Sequence, residues 1–118
     1  MDIAELSKDF LDLCRTGDFR APGAKYHARD VVSIEPEGPN PVLRGRDAVH
    51  AKSVWWYETH EIHTWDVFGP FVHGDQFTAR FIIDFTYTKT GDRQKIEEIA
   101  VYTVKDSEVV EERFFYEI

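Results

Sequence analysis

One glutamate stands alone among apolar side chains in the second half of the chain. Around Thr90-Gly91, two stretches between residues 76 and 104 alternate apolar and polar side chains, which is typical of a β-hairpin. A two-residue turn at Thr90-Gly91 sets Ile83 opposite Glu98 and Phe81 opposite Ala100. The remaining residues of the face that holds Glu98 are then Phe77, Phe85, Tyr87, Ile96 and Tyr102.

A carboxyl group on such a face is costly to ionise, because desolvation disfavours the charged form and raises the pKa. Glu98 could therefore hold or exchange a proton near neutral pH. A structural interpretation is equally open, in which Glu98 meets a basic group or the rim of the sheet. On the other face, Asp84 opposes Glu97 beside Lys95 and Arg80, which indicates a solvated or subunit-facing surface.

Glu35 is the second acidic candidate. It begins the segment 35–41, which contains three prolines and is therefore a loop. A carboxylate there could act as a general base at the mouth of a cavity, or it could simply be solvated. His27 is close enough in sequence to reach the same cavity, with a cap or surface role as its alternative.

The sequence His60-Glu61-Ile62-His63 invites a metal interpretation. It is not the His-Glu-x-x-His zinc motif, and on a strand residues 60 and 63 point to opposite sides of the sheet. The one cysteine, Cys14, falls on the apolar face of a helix and is expected in the core. We therefore predict neither a metal site nor a cofactor.

The elements that would position these groups follow from hydrophobic spacing. Helical spacing predicts a first helix that ends at Gly17, a second from Pro22 to about Ala28, and a third from Gly45 to about Thr59. Strand-like alternation covers 31–34, 60–68, 71–73, 76–89, 94–104 and 108–117. This order predicts one α+β domain over residues 1–118, with helices on one face of an antiparallel sheet.

The composition of the chain limits the classes of binding partner that are expected. The net charge is −8, with 22 acidic residues against 14 Lys plus Arg, so neither nucleic acid nor an anionic membrane surface is expected as a partner. There is no apolar run of about 20 residues, and we expect a cytoplasmic protein. Hydrophobic residues make up 42% and aromatic residues 14% of the chain, which supplies a core and leaves aromatic side chains for a pocket or an interface.

Four segments together resemble a known superfamily: Phe10–Asp18, His27–Pro36, Leu43–Val49 and Val101–Tyr116. In this order they are similar to nuclear transport factor 2-like proteins, and in particular to SnoaL-like polyketide cyclases and ketosteroid isomerases. The resemblance implies a cone-shaped barrel, in which a strongly curved antiparallel sheet and three N-terminal helices enclose an apolar pocket. It also implies a homodimer formed through the outer face of the sheet.

Carried over residue by residue, the isomerase pattern is incomplete. The general-base aspartate that precedes a proline falls on Glu35, which keeps a carboxylate. The tyrosine that donates a hydrogen bond to the oxyanion falls on Phe10, and the second donor falls near Ala100 or Ile99. None of these three side chains can donate, so steroid isomerisation by that mechanism is not expected.

The cyclases of the family rely on an inward acid in the late strands, near Glu112 or Phe114. A three-residue final turn, 105–107, would point Glu112 inward. A two-residue turn would instead point Glu111 and Arg113 inward, and Arg113 could then pair with Glu98. The sequence leaves both registers open.

Two functional hypotheses follow. In the first, the chain is an enzyme without cofactor that abstracts a proton beside the carbonyl group of an apolar substrate, with Glu35 as base and Glu98 as acid. In the second, it binds an apolar metabolite without chemistry, or it is a dimeric interaction module. The expected pocket residues are Phe10, His27, Trp55, Phe81, Ile83, Phe85, Ala100, Glu112, Phe114 and Tyr116.

Overall fold

Three helices and six strands make up the computed structural model, which describes residues 1–117. In chain order they are α1 (Ile3–Arg15), α2 (Ala21–Tyr26), β1 (His27–Ile34), β2 (Val42–Arg44), α3 (Arg46–Thr59), β3 (His60–His73), β4 (Gln76–Tyr87), β5 (Asp92–Lys105) and β6 (Glu108–Phe115). No helix in this part of the chain is long and apolar enough to cross a membrane. The α+β class predicted from the sequence is confirmed.

Residues next to the first two helices determine where these helices begin and end. Asp2 caps α1 by accepting a hydrogen bond of 2.8 Å from the backbone N–H of Glu5. Gly17 follows the helix with a φ of 84°, which L side chains rarely adopt. The second helix is shorter than predicted, since α2 ends at Tyr26 and β1 already starts at His27. His27 is therefore held in a strand.

The six strands form one sheet in the order β2-β1-β6-β5-β4-β3, which is curled but not closed. All neighbouring pairs are antiparallel except β1 and β6, which run parallel. An entirely antiparallel sheet was expected, and this pair is the exception. It brings the first strand beside the last one.

The hairpin of β4 and β5 keeps the predicted faces but not the predicted partners. Its turn has four residues, 88–91, and Tyr87 pairs with Asp92, so Phe81 faces Glu98 and Ile83 faces Ile96. A slip of two residues leaves every side chain on its face, because strands have a period of two. On the outer face, the same slip places Asp84 opposite Lys95 instead of Glu97.

The last hairpin settles the register that the sequence left open. Asp106 and Ser107 form a two-residue turn, both with positive φ, and Lys105 pairs with Glu108. A bulge between this turn and the rest of β6 then shifts the pairing by one residue, so that Tyr102 faces Glu112. The inward position of Glu112 thus results from the bulge, and the expected dependence on turn length alone is wrong.

The core lies between α1 and the concave face of the sheet. Leu6, Phe10 and Leu11 from α1 are at most 2% exposed. They pack against alternate residues of the β4–β5 hairpin, namely Phe77, Ala79, Phe81, Ile83, Phe85, Ala100 and Tyr102. A narrow cavity remains at one end of this core.

Candidate functional site

The inner cavity is a space of about 90 Å³ between α1, α2 and the concave face of the sheet. Its apolar wall includes Phe10, Cys14, Phe19, Trp65, Phe81 and Phe114, and its polar wall consists of His27, Ser53, Glu98, Tyr102 and Glu112. By this measure the space would hold only a few water molecules or one small organic group. Titratable groups in an apolar enclosure of this kind make it the candidate site.

His27 and Glu112 form a buried pair at the floor of the site. Nε2 of the imidazole lies 2.6 Å from Oε1 of Glu112, and the two side chains are 9% and 8% exposed. Burial on its own would raise the pKa of Glu112, but the hydrogen bond from His27 and the charges of His27 and Lys52 outweigh it, and the pKa is lowered. Glu112 is therefore a carboxylate at neutral pH.

An ionised Glu112 fixes the tautomer of neutral His27. The carboxylate can only accept, so Nε2 carries the proton that it donates to Glu112. Nδ1 then holds a free lone pair, and no described residue donates a hydrogen bond to it. His27 lines the inner cavity, so this lone pair is available to a ligand as a base.

The backbone near α2 leaves room for the imidazole. A Cβ atom built on Gly23 would lie 2.7 Å from Nδ1 of His27 and 2.9 Å from its Cε1, both shorter than real contacts. A side chain at residue 23 would therefore push the ring away from Glu112. Gly23 serves here as the residue that permits close approach.

A chain of hydrogen bonds runs from Glu112 toward the surface. Ser33, which is fully buried, donates to Oε2 of Glu112 over 2.8 Å and accepts from Nζ of Lys52 over 2.5 Å. Lys52 also donates to Glu35 over 2.8 Å. The second oxygen of Glu35 accepts from the hydroxyl group of Tyr116, again over 2.8 Å. Glu35 thus reaches the site only through Lys52 and Ser33.

Glu98 is the acid of the cavity without a hydrogen-bond partner in the described chain. Burial, together with the negative charges of Glu35 and Glu112, raises the pKa of Glu98 to about 8, although the charge of Lys52 opposes the shift. At pH 7 the carboxyl group is therefore largely protonated. Glu98 lines the cavity and has no basic hydrogen-bond partner in the described chain, and its predicted role as an acid stays a prediction.

Tyr102 presents a second proton donor to the cavity. Its ring is 3% exposed and is held by Phe10 and Phe77, with ring centroids 4.7 and 4.8 Å away. No described group bonds its hydroxyl, yet no buried side-chain oxygen within residues 1–117 lacks a partner, so the hydroxyl faces open space. Burial raises the pKa of Tyr102 well above 10, which keeps the hydroxyl protonated as a donor.

The expected pocket residues divide into three groups. Those that line the inner cavity are Phe10, His27, Phe81, Glu112 and Phe114, together with Glu98. Those that are buried in the core beside it are Ile83, Phe85 and Ala100. Glu35 and Tyr116 bond each other at the end of the hydrogen-bond chain. Their predicted roles in binding or catalysis stay predictions.

The expectation for Trp55 is wrong. Trp55 is 49% exposed, because α3 turns its neighbour Trp56 toward the sheet, and adjacent helical residues diverge by about 100°. Trp56 stacks on His60 with ring centroids 4.0 Å apart. Trp65 from β3 supplies the indole of the cavity wall and donates to the backbone oxygen of Cys14 over 2.7 Å.

Three functional residues escaped the sequence analysis. Lys52 and Ser33 carry no motif, and their contact with Glu112 depends on the parallel pairing of β1 and β6. Tyr102 was visible on the Glu98 face of the hairpin, but nothing in its pattern separated a donor from a core aromatic. Cys14 also lines the cavity; burial, followed by the charge of Glu112, raises its pKa to about 12, so it stays a thiol.

The His60-Glu61-Ile62-His63 segment is structural. Nδ1 of His60 lies within hydrogen-bond distance of the backbone oxygen of Trp56 and the hydroxyl group of Thr59, and burial lowers the pKa of His60. His63 contacts the hydroxyl group of Thr86 over 2.7 Å. Among the residues that the structure describes, no three His, Cys, Asp or Glu side chains are grouped to hold a metal ion.

Comparison with known protein families and solved structures identifies proteins to which this chain is similar. The model of the SnoaL-like domain family matches residues 1–116. A crystal structure from Mesorhizobium loti, provisionally named a SnoaL-like polyketide cyclase with carbohydrate phosphatase as a second designation, is 47% identical. That similarity covers 98% of this chain and all of that one, with a TM-score of 0.95. No curated protein matches the sequence.

More distant structures share the fold. A Xanthomonas campestris protein of unknown function with a cystatin-like fold is 20% identical, with a TM-score of 0.79 over the whole of this chain and 92% of that one. A Bacillus subtilis protein provisionally named an isomerase is 16% identical, with a TM-score of 0.79 over 99% of this chain and 90% of that one. At these identities the likeness concerns architecture alone.

Proposed function

The chain belongs to the SnoaL-like domain family, and from that premise we propose that its inner cavity is the active site of an enzyme that moves a proton on a small carbonyl compound. One observation carries the proposal: a carboxylate-paired imidazole, a protonated carboxyl group and a free phenol line one apolar cavity. The name of the relative from Mesorhizobium loti, a SnoaL-like polyketide cyclase, is compatible with such chemistry.

The proposed reaction starts with proton abstraction by His27. A proton moves from the carbon beside the carbonyl group to Nδ1, and the resulting imidazolium is stabilised by the Glu112 carboxylate 2.6 Å from its other nitrogen. The electron pair left behind becomes an enolate. Its oxygen accepts a hydrogen bond from Tyr102, which supplies the donor that the isomerase pattern lacked at Phe10.

Glu98 completes the cycle as the acid. Its neutral carboxyl group gives a proton to a second carbon, in an isomerisation, or to the oxygen formed when a ring closes. Transfer of the imidazolium proton to the Glu98 carboxylate then restores both groups, and no cofactor is consumed. Glu35, predicted as the base, is assigned a supporting role in this scheme, because Lys52 and Tyr116 already occupy its two oxygens.

The test uses a small probe whose reaction is easily followed. Cyclohex-3-en-1-one isomerises to the conjugated enone, which absorbs in the ultraviolet, and it has the one-ring size that suits a cavity of about 90 Å³. We expect turnover by the wild-type protein and a loss of about 100-fold or more in His27→Gln and in Glu98→Gln. Glu61→Gln, an exposed change on β3, is the matched control.

The second candidate function is binding without chemistry, which the aromatic side chains of Phe10, Trp65 and Phe81 in the cavity wall favour. A binding module would retain the probe, as seen by ligand-observed NMR, without isomerising it or exchanging its protons with D₂O. It would also bind as well after Glu98→Gln, since a neutral amide preserves the shape of the cavity.

We also propose that the outer face of the sheet contacts a second copy of the chain. Ile99 and Phe115 are neighbours across β5 and β6 on that face and are 40% and 50% exposed. Phe68, 43% exposed, lies under the guanidinium of Arg80 on the same side. Exposed apolar side chains on both sides of Arg80 in one row across the sheet support a homodimer.

A further inference from the structure

A second cavity of about 190 Å³ adjoins the inner one and lies between α2 and α3. On one side it is lined by α2 and the residues next to it, namely Arg20, Gly23, Ala24 and His27, and on the other side by Arg46, Val49, His50 and Ser53 of α3. The two cavities have Phe19, Gly23, His27 and Ser53 in common as walls. A molecule that enters between these helices therefore meets the outer cavity first.

The charge of the outer cavity differs from that of the whole chain. The chain carries a net charge of −8, yet this wall has Arg20, Arg46 and two histidines against one carboxylate, Asp47. Within residues 1–117, no carboxylate lies within 4 Å of the Arg46 guanidinium. The side chain of Arg20 bonds Asp18 through Nε, over 3.4 Å, and its guanidinium lies over the ring of Tyr57, so its terminal nitrogens have no carboxylate partner among residues 1–117.

Two further groups that donate hydrogen bonds or can carry a proton face this space. Helix α3 begins after Gly45, so no side chain caps its first turn, and residues of that turn line the cavity. The imidazole of His27, which is 9% exposed, also borders this space. A ligand could therefore find both cationic side chains and unpaired polar atoms here.

The inner cavity, in contrast, repels negative charge. Glu112 is ionised, and Glu98 would be forced to stay neutral beside any added anion. An anionic group therefore has one favourable position in the two-cavity space, which is the outer one. The reacting carbon is then directed inward, toward His27 and Tyr102.

We propose that the substrate carries a carboxylate or phosphate group that Arg20 and Arg46 hold in the outer cavity while its carbonyl portion occupies the inner cavity. This assignment rests on the proposed function of the inner cavity and adds the substrate class to it. It makes the two arginines specificity-determining residues, since they contact a part of the substrate that does not react.

Matched small ligands test the assignment without requiring turnover. Benzoate and benzamide have nearly the same shape and differ in charge, and phenyl phosphate offers the other anionic group. In NMR titrations with the wild-type protein, we expect benzoate or phenyl phosphate to bind at least about 10-fold more tightly than benzamide. We expect this preference to weaken with added salt.

Substitution of the arginines tests whether the preference for anionic ligands arises in the outer cavity. Arg46→Gln, alone or combined with Arg20→Gln, should reduce the ratio of the affinities for benzoate and benzamide toward one. Arg113→Gln, an exposed change on β6, should leave this ratio unchanged. Backbone amide spectra confirm that each variant is folded. The stronger of the two anionic ligands identifies the source of the charge as a carboxylate or a phosphate.

Failure of this assignment is distinct from failure of the proposed function. Equal affinity for benzoate and benzamide, or a preference that survives both arginine changes, would overturn the anion site while leaving isomerisation untouched. A lost anion preference in the arginine variants, together with no isomerisation by the wild-type protein, would support the anion site and refute the enzyme.

Discussion

The imidazole of His27 and the carboxylate of Glu112 lie 2.6 Å apart, although 85 residues separate them in the chain. They meet because β1 and β6 are parallel neighbours, and because the bulge in β6 turns Glu112 toward the concave side. Both side chains are buried, so each satisfies the other in a place that water scarcely reaches. The remaining polar contacts of the site are built on this pair.

Removal of one member of the pair is expected to be costly. In His27→Ala the Glu112 carboxylate keeps only Ser33 and the more distant Lys52, whose Nζ lies 3.9 Å away. Loss of a hydrogen-bond partner from a buried charged group costs at least about 1–3 kcal/mol, so we expect a fall of that order in the free energy of unfolding at pH 7. Urea denaturation measures it.

The control for this experiment is an exposed ion pair. Lys8 and Asp12 contact each other over 2.7 Å on the surface of α1, and Lys8→Ala should leave the unfolding midpoint almost unchanged. Equal effects of His27→Ala and Lys8→Ala would contradict the importance given to the buried pair.

The raised pKa of Glu98 predicts that the stability of the fold depends on pH. Its pKa is 4.5 in an unconstrained chain and about 8 in the fold, so between these values the unfolded state has lost a proton that the folded state keeps. The free energy of unfolding therefore falls as pH rises, by about 1.4 kcal/mol per pH unit for this one group. Above pH 8 the contribution becomes constant.

Glu98→Gln isolates that contribution from other titrating groups. We expect the wild-type protein to lose stability relative to Glu98→Gln on going from pH 5 to pH 8, as measured by urea titrations at several pH values. Parallel curves for the two proteins would show that Glu98 titrates normally in the fold.

Gly23→Ala should act through His27. Alanine favours helices by about 1 kcal/mol over glycine, but its Cβ would lie 2.7 Å from Nδ1 of His27 and displace the ring. We therefore expect destabilisation in the wild-type background and stabilisation once His27→Ala has removed the ring. Thermal unfolding of the four proteins of this cycle gives the coupling, and additivity would refute the proposed contact.

Tyr102→Phe separates reactivity from stability. The hydroxyl has no partner within the described protein, so its removal should change the free energy of unfolding by less than about 1 kcal/mol. If it stabilises an enolate, the isomerisation rate should fall by about 100-fold or more with little change in KM. A large loss of stability with an unchanged rate would mean that the hydroxyl serves the fold instead.

The outer face of the sheet provides an independent prediction. We expect the wild-type protein to sediment as a dimer, and Ile99→Asp or Phe115→Asp to sediment as a monomer, because a charge placed in a buried apolar contact is unfavourable. Val42→Asp, an exposed apolar position on β2, is the matched control. A monomeric wild-type protein would refute the dimer.

Sequence patterns established which residues share a face, but not which residues oppose each other. The alternation in β4 and β5 correctly predicts that Glu98 shares a face with Phe81 and Tyr102, because parity survives a slip of two residues. The actual register is set by a four-residue turn, 88–91, of which the predicted Thr90-Gly91 turn is only the second half. Likewise, no local signal in β6 announces the bulge that turns Glu112 inward.

The rest of the site depends on contacts between distant segments. Lys52 on α3 approaches Ser33 on β1 only after the helix has packed over the sheet, and neither residue belongs to a motif. The choice between Trp55 and Trp56 depends on the rotation of α3 by a single residue, which the weak amphipathicity of that helix does not specify. Tertiary packing decides both.

The position of β6 in the interior of the sheet has a consequence for ligand binding. Because β1 lies on one side of it and β5 on the other, β6 cannot peel away without opening two ladders at once. Local opening of the floor of the inner cavity is therefore expected to cost more free energy than the opening of an edge strand. A tight ligand should accordingly raise the melting temperature of the entire molecule, and the rise should continue with the logarithm of the free ligand concentration beyond saturation of the site.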